Sequence, residues 1–140
     1  MHKKDEILFI DDSKAEITYL ELFFQVNDFS IDVDFNNSAQ DALEAFSNMN
    51  ASQFPDFIIV DINMPLMNGF EFAEKFIALK EEKQSATKLF IYSTSIHSKD
   101  IMRVDSIKGV TGFISKPFDQ KALEEHILPH MSLVAKSDEV

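Results

Sequence analysis

Four apolar residues at positions 57–60 lead directly into Asp61, and Pro65 and Gly69 follow soon afterwards. An unbroken apolar run of this kind indicates a strand that is buried on both faces, as in the interior of a parallel sheet. Proline and glycine often mark the loop or turn that follows such a strand. The stretch therefore predicts an interior strand that delivers one carboxylate to the carboxyl end of a sheet.

Short strand-like runs alternate with helix-like segments along the rest of the chain. Apolar residues recur at helical spacing between the strands, and Ser13 and Asp119 are suitable helix N-terminal caps. The predicted strands cover 7–10, 31–35, 57–60, 89–92 and 112–115. The predicted helices run from Ser13 to Asp28, over 39–46, 69–80 and 99–108, and from Asp119 to Pro129.

This alternation predicts an α/β fold with a doubly wound, five-stranded parallel sheet, a flavodoxin-like three-layer sandwich. Residues 31–35 alternate strictly between apolar and polar, which indicates a half-exposed second strand at a sheet edge. The strands at 7–10, 57–60 and 89–92 are apolar on both faces and suit the interior. Because crossover connections are right-handed, these features favour the strand order 2-1-3-4-5.

The charge and composition of the chain exclude several classes of protein. With a formal net charge of −11 and a single arginine, Arg103, the chain lacks the clustered Lys and Arg that bind nucleic acid. No apolar run approaches the roughly 20 residues of a membrane-spanning helix, and the N-terminus has no signal-peptide core. The absence of cysteine excludes a disulfide scaffold. We therefore expect a cytoplasmic protein that binds neither nucleic acid nor membrane.

Three carboxylates are expected to meet at one edge of the predicted sheet. Open parallel sheets bind ligands beyond the carboxyl ends of their strands where the strand order reverses, here between the first and third strands. Asp11 and Asp12 follow the first strand, and Asp61 follows the third. Crowded carboxylates need positive charge nearby. Mg²⁺, which prefers oxygen ligands, could supply it, as could Lys116 after the fifth strand. Ser93 after the fourth strand adds a hydroxyl.

The combination of carboxylates, metal, lysine and hydroxyl points to phosphoryl transfer onto an aspartate. Aspartate is a recognised covalent nucleophile for phosphate, and the transition state mainly needs its oxygens held and their charge neutralised. Asp61 is then the acceptor, while the metal, Lys116 and Ser93 each contact one phosphoryl oxygen. Taken alone, Asp11 and Asp12 would equally suit the first turn of a helix, where acids interact favourably with the helix dipole.

Several pieces of the sequence occur in the order and at the spacing of one protein family. Over about residues 5–130, the chain resembles the receiver domain of two-component response regulators. The matching pieces are Asp11-Asp12, the stretch from Asp61 to Pro65 followed by Gly69, Ser93-Thr94, and Lys116-Pro117-Phe118.

The resemblance implies a role for each matching residue. Asp61 would accept the phosphoryl group from a phosphohistidine on a sensor histidine kinase. Asp12 would bind Mg²⁺ directly, Asp11 would bind it through water, and Asn63 would contribute its backbone carbonyl. Lys116 would bind the phosphate.

The resemblance also implies a conformational switch. Ser93 lies where the family has its switch hydroxyl, and Phe113 lies where it has a switch aromatic, often a tyrosine. Without a hydroxyl, Phe113 cannot make a hydrogen bond when it turns inward. Asn63 and Ser95 occupy positions where the family adjusts the lifetime of the phosphate, so substituting either is expected to change that lifetime.

The expected output of this switch is a change of protein partner. Because the chain ends soon after its last predicted helix, we expect a receiver domain at 5–130, a loose tail at 131–140 and no output domain, as in stand-alone receivers similar to chemotaxis regulators. The downstream target is not identified by the sequence. A phosphorelay intermediate that passes the phosphoryl group to a histidine phosphotransfer protein is an alternative. An aspartate-nucleophile phosphohydrolase is less favoured because Asn63 stands where a second catalytic acid would be needed.

Two expectations concern residues outside this site. The fourth predicted helix has a thin apolar face of Ile101, Val104 and Ile107, which suits either a marginal helix or a partly exposed docking surface, and we favour docking. The histidines lack metal-ligand spacing and are expected on the surface: His2, His97, His126 and His130.

Overall fold

A parallel β-sheet forms the centre of the structure, a computed structural model that describes residues 4–27, 30–94 and 97–131. Its strands in chain order are β1 (Asp5–Ile10), β2 (Ile31–Asn36), β3 (Phe57–Asp61), β4 (Lys88–Ser93) and β5 (Gly112–Ser115). They are ordered β2-β1-β3-β4-β5, and each neighbouring pair is parallel. The predicted fold class and strand order are therefore confirmed.

Helices connect the strands and cover both faces of the sheet. They are α1 (Lys14–Asn27), α2 (Ala39–Ser47), α3 (Gly69–Lys83), α4 (Ser98–Ser106) and α5 (Gln120–Ala122). Both predicted caps are confirmed. The Ser13 hydroxyl accepts the N–H of Glu16 at 3.2 Å, and the Asp119 carboxylate accepts the N–H of Ala122 at 2.9 Å. These bonds satisfy backbone donors that the first turn of a helix leaves without intrahelical partners.

The last helical segment differs from the regular helix predicted to end near Pro129. Only its first turn, α5, is α-helical, and the chain then passes into a π-helical turn (Leu123–Ile127) and a 3-10 turn (Leu128–His130). Proline has no N–H with which to continue the α-helical pattern of hydrogen bonds. The 3-10 turn around Pro129 is closed instead by the N–H of Met131, which donates to the carbonyl of Leu128 at 3.1 Å.

Two hydrophobic clusters, one on each face of the sheet, hold the three layers together. On one face, α2 and α3 contribute Phe46, Phe72 and Phe76. On the other face, α1 contributes Leu20, and the last helical segment contributes Leu123. Every residue of β3 is buried, which confirms the predicted interior strand. The half-exposed β2 lies at a sheet edge, also as predicted.

Some predictions concern residues outside the described ranges. These are Asp28 at the end of the first helix, His2, Ser95, and the tail beyond Met131. Among the helices that the structure describes, each is too short or too polar to cross a membrane.

The remaining histidines only partly follow the prediction of surface positions. His97 and His130 are exposed as predicted. His126 follows the prediction only in part, because its side chain is 29% exposed. Its ring packs edge-on against Phe90 of β4, with 5.6 Å between the ring centroids. The last helical segment directs this residue toward the sheet. The spacing of the histidines in the sequence carries no information about this packing.

Candidate functional site

Three carboxylates meet where β1 and β3 end side by side. Ile10 of β1 pairs with Val60 of β3, so Asp11 and Asp61 leave the two strands at the same level. Asp11 is 1% exposed and Asp61 is 6% exposed, whereas Asp12 is open to solvent. Carboxylate oxygens of the three residues lie within 4.8 Å of one another. The predicted meeting of these acids at the edge of the sheet is thus confirmed.

Lys116 reaches the carboxylates from the end of the edge strand β5, which β4 separates from β3. It follows β5, and its backbone N–H donates to the carbonyl of Ser93 at 2.9 Å. Its Nζ lies 2.9 Å from Oδ2 of Asp11 and 3.2 Å from Oδ1 of Asp61. The lysine side chain is only 12% exposed. One ammonium group therefore bridges the two buried acids.

The charges in this cluster are not fully balanced. Burial raises the pKa of Asp61 to about 6, Lys116 opposes this rise, and Asp11 and Asp12 add to it. Burial acts to lower the pKa of Lys116, but its hydrogen bond to Asp11 and the charges of Asp11 and Asp61 outweigh burial and raise it. The ammonium group of Lys116 contacts two of the three clustered acids, so the site still favours an additional cation.

Local backbone contacts hold the two buried acids in place. The Asp11 carboxylate accepts the N–H of Ser13 at 2.9 Å, and the Asp11 N–H donates to the carbonyl of Asn36 on β2. Next to Asp61, the N–H of Gly69 donates to the carbonyl of Ile62 at 3.0 Å. A Cβ at position 69 would lie 2.5 Å from the carbonyl oxygen of Asp61. Glycine is therefore required for α3 to start so close to the end of β3.

The other predicted site residues lie at or near the same edge. Ser93 ends β4 and is 1% exposed. Asn63 follows β3 in the next loop and is exposed. Phe113 lies in β5, half-buried against the cluster formed with α2, α3 and α4. The strand ends thus bring Ser93 to the edge that holds Asp61 and Lys116, while Phe113 belongs to the packing of the neighbouring face.

Sequence reasoning missed a group of hydrogen bonds under Lys116. The Tyr92 hydroxyl donates to Oε2 of Glu16 at 2.6 Å and accepts the N–H of Phe118 at 3.0 Å. The Tyr19 hydroxyl donates to the carbonyl of Phe118 at 2.8 Å. A sequence signal existed, since a tyrosine in an otherwise apolar interior strand needs a partner for its hydroxyl. The sequence could not show that Glu16 is this partner.

The donor set suits a hard divalent cation. Mg²⁺ prefers oxygen ligands and often uses one or two carboxylates together with water and phosphate. Asp11, Asp12 and Asp61 offer clustered carboxylate oxygens, and the exposed Asp12 leaves the cluster accessible from solvent. The deficit of positive charge around Asp61 would favour such an ion. These acids are typical of the Mg²⁺ site of receiver domains.

Comparison with known proteins identifies the same fold and family pattern. Residues 7–128 match the family described as response regulator receiver domain. Chemotaxis protein CheY-3 of Vibrio cholerae is 30% identical over 129 residues, which cover 91% of this chain and 92% of that protein. The structure of chemotaxis protein CheY4 from the same species is 26% identical, with a TM-score of 0.68 over 87% of this chain and 94% of that chain.

A more distant structure shares the fold alone. In a complex from Saccharomyces cerevisiae, the histidine phosphotransfer signalling protein Ypd1 is bound to the receiver domain of its downstream response regulator Ssk1. The match is 17% identical, with a TM-score of 0.70 over 89% of this chain and 86% of the matched chain.

Other relatives are much longer than this chain. The chain spans 7% of the hybrid signal transduction histidine kinase L of Dictyostelium discoideum, at 30% identity over 126 residues. It spans 46% of the probable transcriptional regulator ycf29 of Porphyra purpurea, at 34% identity over 99 residues. The similarity to these proteins therefore covers only part of each of them.

Proposed function

The chain belongs to the response regulator receiver domain family of two-component signalling, and from this we propose that Asp61 accepts a phosphoryl group from a histidine kinase. We propose that the receiver domain spans residues 5–130 and acts in the cytoplasm. Phosphorylation of Asp61 then changes which proteins the domain binds. The chain itself provides the groups that promote phosphorylation and its reversal, while the phosphoryl group comes from the partner.

One observation carries this proposal: the bridge that Lys116 makes between Asp11 and Asp61, with 2.9 and 3.2 Å between the ammonium nitrogen and the two carboxylate oxygens. This geometry places a positive charge beside the proposed acceptor oxygen. When a phosphoryl group is attached there, the ammonium group can contact one of its oxygens instead. Neutralising the negative charge of the phosphoryl oxygens is the main requirement of phosphoryl transfer.

The proposed transfer forms one bond and breaks another. A carboxylate oxygen of Asp61 attacks the phosphorus of a phosphohistidine, and an oxygen–phosphorus bond forms. The phosphorus–nitrogen bond breaks, and its electron pair stays on the imidazole nitrogen of the donor. Asp61 attacks as the carboxylate. Its pKa of about 6 leaves it mostly in this ionised form at neutral pH.

Asp11, Asp12 and Asp61 would hold Mg²⁺, together with the backbone carbonyl of Asn63. When bound, the ion supplies positive charge that neutralises phosphoryl oxygens during transfer. The arrangement of the acids supports this proposal, because their carboxylate oxygens lie within 4.8 Å of one another.

We propose Ser93 as the residue that detects phosphorylation. It is buried at the end of β4, and its carbonyl already accepts the N–H of Lys116. Its hydroxyl would bind a phosphoryl oxygen and shift the end of β4 toward Asp61. Phe113, on the neighbouring β5, would repack in response. The thin face of α4 supports a movable partner surface, since Val104 is its only buried residue.

A relay role is the second candidate. The yeast receiver domain that shares this fold is bound to a histidine phosphotransfer protein, and a partner of that class could take the phosphoryl group from Asp61. The two roles differ in where the phosphate goes next. Rapid transfer from phosphorylated protein to a histidine phosphotransfer protein would favour the relay, whereas phosphate-dependent binding of another protein would favour a switch.

The central test is Mg²⁺-dependent phosphorylation by a small donor. Wild type, Asp61→Asn and the control Asp105→Asn, which changes an exposed acid on α4, are incubated with acetyl phosphate with and without Mg²⁺. We expect the mass of one added phosphoryl group on wild type and the control only, and only with Mg²⁺. Modification of Asp61→Asn, or an unmodified wild type, would refute the assignment. Binding of beryllium fluoride should follow the same pattern.

A further inference from the structure

Tyr92 lies at the end of β4, directly before Ser93, and is fully buried. Its hydroxyl makes two hydrogen bonds. It donates to the Glu16 carboxylate of α1 at 2.6 Å and accepts the backbone N–H of Phe118 at 3.0 Å. A hydrogen bond to an ionised acceptor is shorter and stronger than one between neutral groups. Burial and the Glu16 carboxylate raise the pKa of Tyr92, so its hydroxyl stays protonated and donates to Glu16.

These contacts fix the segment 116–118, which carries Lys116 and follows β5. The backbone N–H of Lys116 is bound to the carbonyl of Ser93, at 2.9 Å. Two residues later, the Phe118 N–H is bound to Tyr92, and the Phe118 carbonyl accepts the Tyr19 hydroxyl at 2.8 Å. The segment is therefore held at both ends. Tyr19 of α1 bonds to it directly, whereas Glu16 of α1 acts on it through the Tyr92 hydroxyl.

The Lys116 ammonium group also lies above the ring of Tyr92. The distance from Nζ to the ring centroid is 5.0 Å, within the range of cation–π attraction. Tyr92 thus contacts the segment 116–118 twice. Its hydroxyl accepts the backbone N–H of Phe118, and its ring lies beneath the ammonium group of Lys116. The same ammonium group bridges Asp11 and Asp61.

We propose that Tyr92 and Glu16 are positioning residues that hold the Lys116 ammonium group against Asp11 and Asp61. This inference rests on the proposed phosphorylation of Asp61, because the position of Lys116 matters for that reaction. Loss of the Tyr92 hydroxyl would leave the buried Phe118 N–H without its acceptor and release one end of the segment. The lysine would then meet the phosphoryl oxygens less often, and small misplacements of such groups slow reactions strongly.

The first test replaces Tyr92 with phenylalanine, which keeps the ring and removes only the hydroxyl. At saturating Mg²⁺, we expect Tyr92→Phe to lower the maximal rate of phosphorylation by acetyl phosphate roughly tenfold. The control is Thr87→Val. It removes another buried hydroxyl, bound to the Pro55 carbonyl at 2.7 Å near the start of β4, away from Lys116. The control should be phosphorylated at the wild-type rate.

Glu16 provides a conservative substitution. Glu16→Gln keeps an oxygen that can accept the Tyr92 hydroxyl, whereas Glu16→Ala removes it. We expect Glu16→Gln to retain most of the wild-type rate and Glu16→Ala to resemble Tyr92→Phe. Equal losses in Thr87→Val and Tyr92→Phe would show that destabilisation alone slows the reaction, and an unchanged rate in Tyr92→Phe would also overturn the proposal.

A second measurement does not depend on phosphorylation. In NMR spectra of the protein without donor, we expect Tyr92→Phe to speed exchange of the Phe118 amide and to shift the Lys116 Nζ signal, while Thr87→Val leaves both unchanged. Unchanged signals in Tyr92→Phe would overturn the positioning role. If wild type is not phosphorylated but these signals change, the proposed function fails and the structural link between Tyr92 and Lys116 stands.

Discussion

The ammonium nitrogen of Lys116 lies 3.2 Å from Oδ1 of Asp61, although Asp61 ends β3 and Lys116 follows β5. β4 separates β3 from β5 in the sheet, so the lysine side chain crosses the end of β4 to make this contact. The contact opposes the effect of burial on Asp61. It also links the segment after β5 to the proposed phosphorylation site.

Replacing Lys116 with methionine should raise the pKa of Asp61 above its value of about 6. Among the contributions that lower this pKa, the charge of Lys116 is the largest, and its hydrogen bond adds to it. Methionine keeps much of the side-chain length and removes the charge. Titration of the Asp61 carboxyl carbon by ¹³C NMR, in the absence of Mg²⁺, measures the change.

The matched control for this titration is Lys121→Met. Lys121 is a lysine of α5 whose side chain is 80% exposed and whose partner Glu125 lies 3.9 Å away. We expect it to leave the Asp61 titration unchanged. A similar shift in both variants would mean that net charge, and not the contact with Asp61, controls this pKa.

Asp61→Asn should stabilise the protein at pH 7.5 and lose this advantage near pH 4. The folded-state pKa of Asp61, about 6, exceeds its ordinary value of 3.8, so the folded state binds the proton more tightly. Stability contributed by this group therefore falls as pH rises from about 4 to 6 and stays low above that. The gain on substitution should be on the order of 1–2 kcal/mol at pH 7.5, measured by urea unfolding at several pH values.

Mg²⁺ provides a second arm of the same experiment. A cation that binds the folded state stabilises it by mass action, so adding Mg²⁺ should stabilise wild type more than Asp61→Asn. A gain for Asp61→Asn that stays constant between pH 4 and 7.5 would contradict the proposed charge imbalance. Asp105→Asn, on the exposed side of α4, should change stability little at any of these pH values.

The sequence predicted the sheet and the acidic cluster because both follow from short-range patterns. The apolar run at 57–60 specifies a strand that is buried on both faces, and β3 is buried throughout. Asp11, Asp12 and Asp61 come next to strand ends, and the topology of a parallel sheet brings such ends together. These conclusions require only the identity of each element and the order of the strands.

Other features depend on contacts between elements distant in sequence. Glu16 and Tyr92 pair across the space between α1 and β4, and a helical acid normally faces solvent. The π-helical turn Leu123–Ile127 contains ordinary helix-forming residues, so propensity alone predicts an α-helix there. The partial burial of His126 follows from the way that turn packs. Propensity and periodicity do not describe these tertiary contacts.

Gly69→Ala should destabilise the protein although alanine normally favours helices. The added Cβ would lie 2.5 Å from the carbonyl oxygen of Asp61 and 3.0 Å from the Cα of Ile62, both of them backbone atoms that cannot rotate away. We expect a cost of about 2–3 kcal/mol and weaker Mg²⁺ binding, because β3 must shift. Urea unfolding and a Mg²⁺ titration monitored by NMR measure the two effects.

The control for this steric argument is Gly112→Ala. There the added Cβ would contact only the ring of Phe90 at 3.5 Å, an ordinary van der Waals distance. We expect a change within about 0.5 kcal/mol, with a small gain from reduced freedom of the unfolded chain. If Gly69→Ala were as stable as Gly112→Ala, the close approach of α3 to Asp61 would be wrong.

Arg103 should hold α4 against α3 mainly through its contact with Phe70. The guanidinium carbon lies 4.3 Å from the centroid of the Phe70 ring, whereas the nitrogen Nη2 lies 3.8 Å from Oε1 of the exposed Glu74. Stacking of the planar group on a buried ring is worth about 0.5–1 kcal/mol or more, while an exposed ion pair often contributes less. Arg103→Lys, which keeps the charge but not the plane, should therefore cost more than Glu74→Gln.

Urea unfolding and amide hydrogen exchange along α4 distinguish the two contributions of Arg103. Because Val104 is the only residue of α4 that is buried, loss of the Phe70 contact should speed exchange throughout α4 and leave β3 protected. Glu74→Gln should change exchange little, since the guanidinium plane stays on the ring. Equal effects of Arg103→Lys and Glu74→Gln would show that the ion pair holds the helix. Faster exchange confined to α4 would identify it as the least stable element beside the proposed switch residue Ser93.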